Sequence, residues 1–290
     1  MEILFDQLIN GLTRGAEYAL VAAGLALIFG VVGIVNFAHG EFYMVGAYAL
    51  WVGQSTLGLD YPLAALVAVL AMIVFGAAFY GVVVRNVVGL GWQNQLVATL
   101  AASILLVNLA IVMAGSLPKF VYSPLVTEVV RIGNVTFSLQ RLLILGCAFI
   151  AFAGLYVLLK YTKPGKAMRA LAQNRDACVV VGIPVHRIGL LAVMVGAGLA
   201  GVAAVIIPVL SNVHPTMGLI VTIKAFAAVV MGGFGNVTGA IVAAFVIGVI
   251  EALGVGYISS AYGDAFVFGL LILVLLVRPR GVFGRAIRVS

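Results

Sequence analysis

A chain of 290 residues that is 64% hydrophobic and 9% charged is ill suited to water, because soluble domains carry about 25% charged residues to cover their surface. That imbalance places the chain in a lipid bilayer. The 35 glycines fit, since glycine lets membrane helices approach closely. The net charge of +7 excludes nucleic acid by its distribution, with no aromatic-basic groove pattern beside it. Lys160, Lys163, Lys166, Arg169, Arg175 and Arg187 fall in one stretch opposed by Asp176, and Arg278, Arg280, Arg285 and Arg288 close the chain. Basic clusters flanking apolar spans mark cytoplasmic loops.

Cys147 in an apolar span and Cys178 in the basic stretch make no disulfide frame. Glu2 and Asp6 precede any base, so the start lacks the positive region of a cleavable signal and the first span itself directs insertion.

Apolar segments run over Glu17–Val35, Phe42–Gly53, Pro62–Val84, Leu96–Gly115, Leu142–Leu159, Ile188–Leu210, Leu219–Gly232, Val237–Ile258 and Ala265–Val277. A full span needs about 20 residues. Phe42–Gly53, Leu219–Gly232 and Ala265–Val277 fall short, so they read as half-spans, re-entrant pieces or tilted helices with polar extensions. The expected fold is an all-α polytopic integral membrane protein with about eight or nine membrane segments, forming one transmembrane domain over 1–290. With 160–187 cytoplasmic, region 116–141 with Pro118, Pro124 and Asn134 is an external loop, the Gln54–Tyr61 turn is outside and the Arg85–Gly91 turn inside. The C-terminal arginines then return to the cytoplasm. The side of the N-terminus depends on whether Phe42–Gly53 crosses fully.

Ala192, Gly196, Ala200 and Ala204, and again Ala240, Ala244, Gly248 and Ala252, recur every fourth residue. Each set is a smooth strip on one helix face, suited to close packing or to sliding. No long repeat is visible. Asn36-Phe37-Ala38-His39-Gly40 and Asn212-Val213-His214-Pro215 do interrupt apolar sequence in the two halves. Paired breaks of this kind can mark a transporter's midplane, and chance explains so short a match equally well.

Residues 161–184 are the most informative. Pro164 suits a first helical turn, Gly182 supplies a stop and Pro184 follows. Between them Lys166, Arg169, Gln173 and Asp176 recur at helical spacing, with Ala167, Leu171 and Cys178 turned away. This predicts a short two-faced helix that either lies on lipid headgroups or seats in a partner's groove. Its alanines favour close docking.

Those 24 residues resemble the cytoplasmic coupling loop of branched-chain amino acid ABC transporter permeases of the LivH type. The block from Tyr18 through Asn36-Phe37-Ala38-His39-Gly40-Glu41 to Tyr48 resembles the same permeases, as do Lys224–Ala240 and Leu271–Pro279. The blocks stand in the family's order and span nearly the whole chain. The resemblance implies a pathway formed with a homologous second permease subunit, two ATPase subunits holding ATP and Mg, and a periplasmic binding protein that delivers the solute. It implies the bacterial inner membrane. It also implies that 161–187 is a coupling loop, its ATPase-coupling residues being Pro164, Gly165, Lys166, Arg169, Ala170, Ala172, Gln173, Asn174, Asp176, Ala177, Gly182, Ile183 and Pro184. Independently, the chain lacks a phosphate-binding G-x-x-x-x-G-K-[ST] loop: Gly165-Lys166 has neither the earlier glycine nor the following hydroxyl. No enzyme activity or cofactor is expected in this chain. The sequence departs from the family at Val84-Arg85-Asn86-Val87-Val88, where an acidic-basic run ending in Arg-Pro is usual, and at Asn236, where serine is commoner.

Ionisable residues within spans cost about 2.5–3.5 kcal/mol on insertion scales, so they face partners or a cavity. Asn36, His39, Gly40 and Glu41 cluster at the first break, and Asn212 and His214 at the second. These are pathway or gate candidates, with a solvated membrane-surface turn as the alternative for the first cluster. Lys224 and Glu251 can pair as a staple or line a pathway. The three histidines share no metal-ligand spacing. A urea permease, a stand-alone secondary transporter or channel, and a membrane enzyme are the competing functions. The last would show a cluster of acids, histidines or a nucleophile, and the coupling segment argues against the stand-alone transporter.

Overall fold

The computed structural model describes residues 2–132, 135–279 and 281–284. Asn134, Arg280, Arg285 and Arg288, named above, lie outside the described residues. Helix α1 (Glu2–Val32) is about 46 Å long at 1.5 Å per residue and forms the axis of the molecule. Within its most apolar stretch 83% is buried, because its face of Ala16, Ala19, Ala22, Ala23 and Ala26 admits neighbours on all sides. After it come α2 (His39–Ser55) and α3 (Tyr61–Phe79), which passes through a π-turn at Tyr80–Val84 into α4 (Arg85–Val87). Then follow α5 (Trp92–Ala114), a hairpin of β1 (Val129–Ile132) and β2 (Val135–Ser138), and α6 (Leu139–Tyr161). Two short helices, α7 (Lys163–Gln173) and α8 (Arg175–Val180), precede α9 (Val185–Ile206). The chain closes with α10 (Met217–Gly232), α11 (Val237–Tyr257) and α12 (Gly263–Val277).

Among the described residues, seven helical stretches are long and apolar enough to cross a bilayer. Helices α2 and α10, at about 25 and 24 Å, are shorter than a hydrocarbon core of about 30 Å. Both are short, as the sequence led one to expect. The third, Ala265–Val277, gains a polar extension, because the Ser260–Tyr262 turn lengthens it to a continuous 18-residue stretch.

The ends of the bundle are fixed by contacts between distant segments. At one end Arg175 reaches the carbonyl of Val32, and the amide of Val282 donates to the carbonyl of Met231 at 2.7 Å. This basic end also carries Lys163, Lys166, Arg169 and Arg278. At the other, Gln54 brackets the backbone of Tyr122 with two hydrogen bonds, and Lys119 and Val213 exchange both backbone bonds at 2.8 Å. The chain therefore runs down α1 to the basic end, turns back over 33–38, and starts α2 buried within the bundle. The side of the N-terminus, open in the sequence, is opposite the basic end.

The two halves are inverted copies in their packing. α1 lies along α11 as α9 lies along α3, and α1 on α10 as α9 on α2. Both small-residue strips are the seams. A Cβ on Gly24 would stand 2.9 Å from the Gly196 carbonyl oxygen, and one on Gly248 would meet Gly15 and Gly11 backbone at 2.5 Å. Lipid is as apolar as leucine, so such contacts hold membrane helices together by dispersion rather than by a hydrophobic drive. Helices α5 and α12 are only 11% buried over their apolar stretches, and their outward leucines, isoleucines and valines face lipid or a partner.

Candidate functional site

Two helix breaks meet inside the bundle. The first break follows from Gly33-Ile34-Val35-Asn36, where the Asn36 carboxamide accepts from the Ala38 amide at 3.1 Å and turns the chain back into the membrane. His39 then lies against Gly24, about 12 Å above the basic end by helical rise. The second break, from Ile207 to Thr216, contains Pro208 and Pro215, which withhold backbone donors. Helices α2 and α10 cross where Gly40 meets Gly218. A Cβ on Gly218 would stand 2.6 Å from the Gly40 carbonyl oxygen and 2.5 Å from Glu41 Oε2.

This crossing is buried and polar. Asn36 and His39 are 0% exposed and Glu41 1%, so the solvated surface turn is overturned for the first cluster. Glu41 accepts from the Ser103 hydroxyl of α5 at 3.0 Å. Among the described residues, Glu41 Oε2, Asn36 Nδ2 and both His39 ring nitrogens find no hydrogen-bond partner. Buried polar groups are normally paired, so this concentration on one helix start is unusual.

Above the crossing, at the end opposite the basic one, lies a cavity of about 510 Å³ between α1, the start of α6, and α10 with the segment before it. Its polar wall carries Arg14, Glu17, Tyr18, Tyr43, Arg141 and Lys224, and its apolar wall Ile207, Leu210, Met217, Ile220 and Val221. Asn212 and His214 of the second break line the rim, where the His214 ring pairs with the Thr216 hydroxyl at 3.2 Å.

Lys224 and Glu251 do pair, at 2.9 Å, within a larger network. Arg14 binds the same carboxylate oxygen at 2.6 Å, the Tyr18 hydroxyl donates to the other at 3.0 Å, and Asp264 of α12 reaches Lys224 at 3.0 Å. The network ties α1, α10, α11 and α12 together, and Lys224 serves it while facing the cavity. Sequence reading missed Arg14, Glu17, Tyr18 and Arg141. The signal present was Arg14 and Glu17 near the start of the first span, whose facing is set only by packing.

At the basic end α7 begins as expected. Pro164 sits in the first turn, and the Thr162 hydroxyl caps the helix by accepting from the Gly165 amide at 3.1 Å. Gly165 packs on the backbone of Leu158 and Leu159, which fixes α7 to the end of α6. The single two-faced helix is corrected. Asn174 leaves helical geometry at φ −156° and its side chain accepts from the Ala177 amide at 2.9 Å, so a competing N-cap splits the segment and Asp176 begins α8. Met168, Leu171 and Cys178 face inward, while Lys166, Arg169, Ala172, Gln173, Asn174, Asp176 and Ala177 are exposed. Ala170 and Ile183 are half-buried, and Pro184 is exposed. Gly182 closes α8 at φ +78°, a conformation glycine adopts without strain. Beside it Val179, Val180 and Val181 stand 59%, 87% and 73% exposed, an apolar knob that the sequence analysis did not single out.

Residues 7–275 match the family described as branched-chain amino acid transport system / permease component. The chain is 37% identical to the high-affinity branched-chain amino acid transport system permease protein BraD of Pseudomonas aeruginosa, over 97% of this chain and 95% of that one. It is 32% identical to its LivH counterpart in Escherichia coli K12, again over 97% and 95%. The ribose import permease protein RbsC of the same strain is 28% identical over 94% and 85%. Among solved structures, PsaBC from Streptococcus pneumoniae in complex with Fab superposes with a TM-score of 0.52 at 13% identity, covering 93% of this chain and 91% of that one. That likeness concerns the fold alone. A bundle of long and short apolar helices, with a capped, exposed helix pair at its basic end, and these matches over nearly the full length agree: the chain belongs to the branched-chain amino acid transport system permease family.

Proposed function

We propose that the chain is the membrane-spanning half of an ABC importer in the bacterial inner membrane, passing branched-chain amino acids handed over by a periplasmic binding protein. The relatives named for branched-chain transport favour this cargo over urea. Two ATPase subunits hold ATP and Mg on the cytoplasmic side, and a homologous permease supplies the other half of the pathway. The observation that carries the reading is the α7–α8 pair. It is rigidly capped, mounted on α6 through Gly165, and offers the Val179–Val181 knob beside Lys166, Arg169 and Asp176. An apolar centre within a charged rim is the anatomy of a protein interface.

In this reading α8 receives the ATPase's movement and passes it to the end of α1 through Arg175. The outer cavity is the vestibule, and the Gly40–Gly218 crossing is the closed gate beneath it. Loosening the crossing would give the unpartnered atoms of Asn36, His39 and Glu41 access to water or solute. Co-purification with candidate ATPase subunits, followed by binding-protein-stimulated ATP hydrolysis and leucine uptake in proteoliposomes, tests the proposal. Uptake by the isolated chain without nucleotide contradicts it.

A further inference from the structure

We propose that the outer cavity is a binding site for the zwitterion of an aliphatic amino acid, with Glu17 receiving the ammonium, Arg141 the carboxylate, and the apolar wall the side chain. The inference deepens the importer reading and rests on it.

Arg14 and Lys224 are both held by Glu251. Glu17 and Arg141 line the same cavity, and neither forms an ion pair with any described residue. An acid inside a membrane span is costly to insert. One that only served packing would be paired, as Glu251 is. The free groups are thus one acid and one base. An anion would meet Glu17, a cation would meet Arg141, and a molecule carrying both charges satisfies both.

The remaining surface selects the rest of the ligand. Ile207, Leu210, Met217, Ile220 and Val221, the apolar lining residues, all come from the segment that enters α10 and from the first turns of that helix. A volume of about 510 Å³ falls within the range of roughly 300–1,000 Å³ typical of small-molecule sites. Apolar walls with a few placed polar groups are their usual make-up. Tyr43, two residues along α2 from Glu41, lines the same cavity, so a bound molecule would rest next to the crossing that closes the way down.

The test uses the assembled transporter in nanodiscs, with Cys147 and Cys178 replaced by alanine and Ile220→Cys as a reporter on the apolar wall. The labelling rate with a polar maleimide is measured alone and with leucine, isopentylamine (no carboxylate) or 4-methyl-2-oxopentanoate (no ammonium). Leucine at ten times its Kd is expected to slow labelling about tenfold, while the two analogues leave it unchanged. Glu17→Gln and Arg141→Gln are each expected to abolish protection, and Glu17→Asp to retain it, which separates lost charge from lost fold. Absence of leucine protection, equal protection by all three compounds, or protection that survives both neutral variants overturns the site. Binding-protein-stimulated ATP hydrolysis is measured on the same preparation. If stimulation is present without protection, the site fails and the importer stands. If protection is present without stimulation, the site stands and the importer reading fails.

Discussion

Arg175, the first residue of α8, donates from Nη1 to the carbonyl oxygen of Val32, the last residue of α1, at 3.3 Å. A cation at a helix C-terminus meets both unpaired carbonyls and the negative end of the dipole. The exposed α7–α8 pair is therefore bonded to the most buried helix of the molecule. We expect Arg175→Gln to leave ATP hydrolysis intact and to lower leucine transported per ATP. Hydrogen bonds to charged groups contribute about 1.5–3 kcal/mol, so a three- to tenfold fall is expected for this half-buried one. An unchanged ratio in proteoliposomes would mean that α8 does not act through α1.

The apolar knob gives a separable prediction. Val180→Asp places a charge at the centre of the proposed ATPase interface, where losses of about 2 kcal/mol or more are usual. Co-purification with the ATPase subunits should fall at least about tenfold, with the membrane fold unchanged. Gly182→Pro should act differently. Proline holds φ near −65°, incompatible with the +78° found here, so the turn after α8 must rearrange. Binding is then expected to survive in part while uptake per ATP collapses. Ala170→Trp, at a half-buried site on α7, should likewise uncouple. Normal uptake in all three variants would show that the motor grips elsewhere.

The helix crossing can be tested by contrasting two glycines. Gly218→Ala puts a methyl against the Gly40 backbone and the Glu41 carboxylate, and overpacking of this kind costs about 1–3 kcal/mol. Gly154→Ala on α6 meets nothing within 4 Å. Thermal midpoints in detergent should fall for the first and not for the second. Equal midpoints would mean that α2 and α10 are not in contact.

The buried network predicts a rescue. Glu251→Met removes the carboxylate that Lys224, Arg14 and Tyr18 share. Breaking a buried pair by removing one partner costs about 3–5 kcal/mol, here reduced by Asp264, which remains beside Lys224. Replacing both partners by methionine avoids the stranded charge. Glu251→Met should thus melt well below the parent, and Lys224→Met/Glu251→Met should recover most of the loss. A double variant no more stable than the single one would assign Lys224 a role apart from the pair.

Much of the architecture was readable because a bilayer leaves a coarse signal. The long spans, the end bearing the basic clusters and the packing strips all follow from local composition and period. The strip at Ala192, Gly196, Ala200 and Ala204 needs no partner to be recognised, since only small residues repeat there. The faint echo of Asn36–Gly40 with Asn212–Pro215 turned out to be the two helix breaks of an inverted arrangement. Its weakness in sequence is understandable, because a break needs only a turn and a missing donor, which unrelated residues supply. The split of the coupling helix at Asn174 was hidden for another reason. Helical spacing continued through it, while the asparagine side chain competed locally for a backbone amide.

By itself the sequence determined that this chain lives in lipid, which end carries its positive charge, and that its basic linker is a capped helical element between two spans. Composition, charge and capping act over a few residues, so they need no knowledge of neighbours. Only the tertiary structure decided that Gly40 lies on Gly218, that Glu251 gathers Lys224, Arg14 and Tyr18, and that Glu17 and Arg141 share a cavity. These relations join residues far apart in the chain. Within a span every helix is comparably apolar, so which face meets a partner is settled by the fit of side chains after the helices assemble.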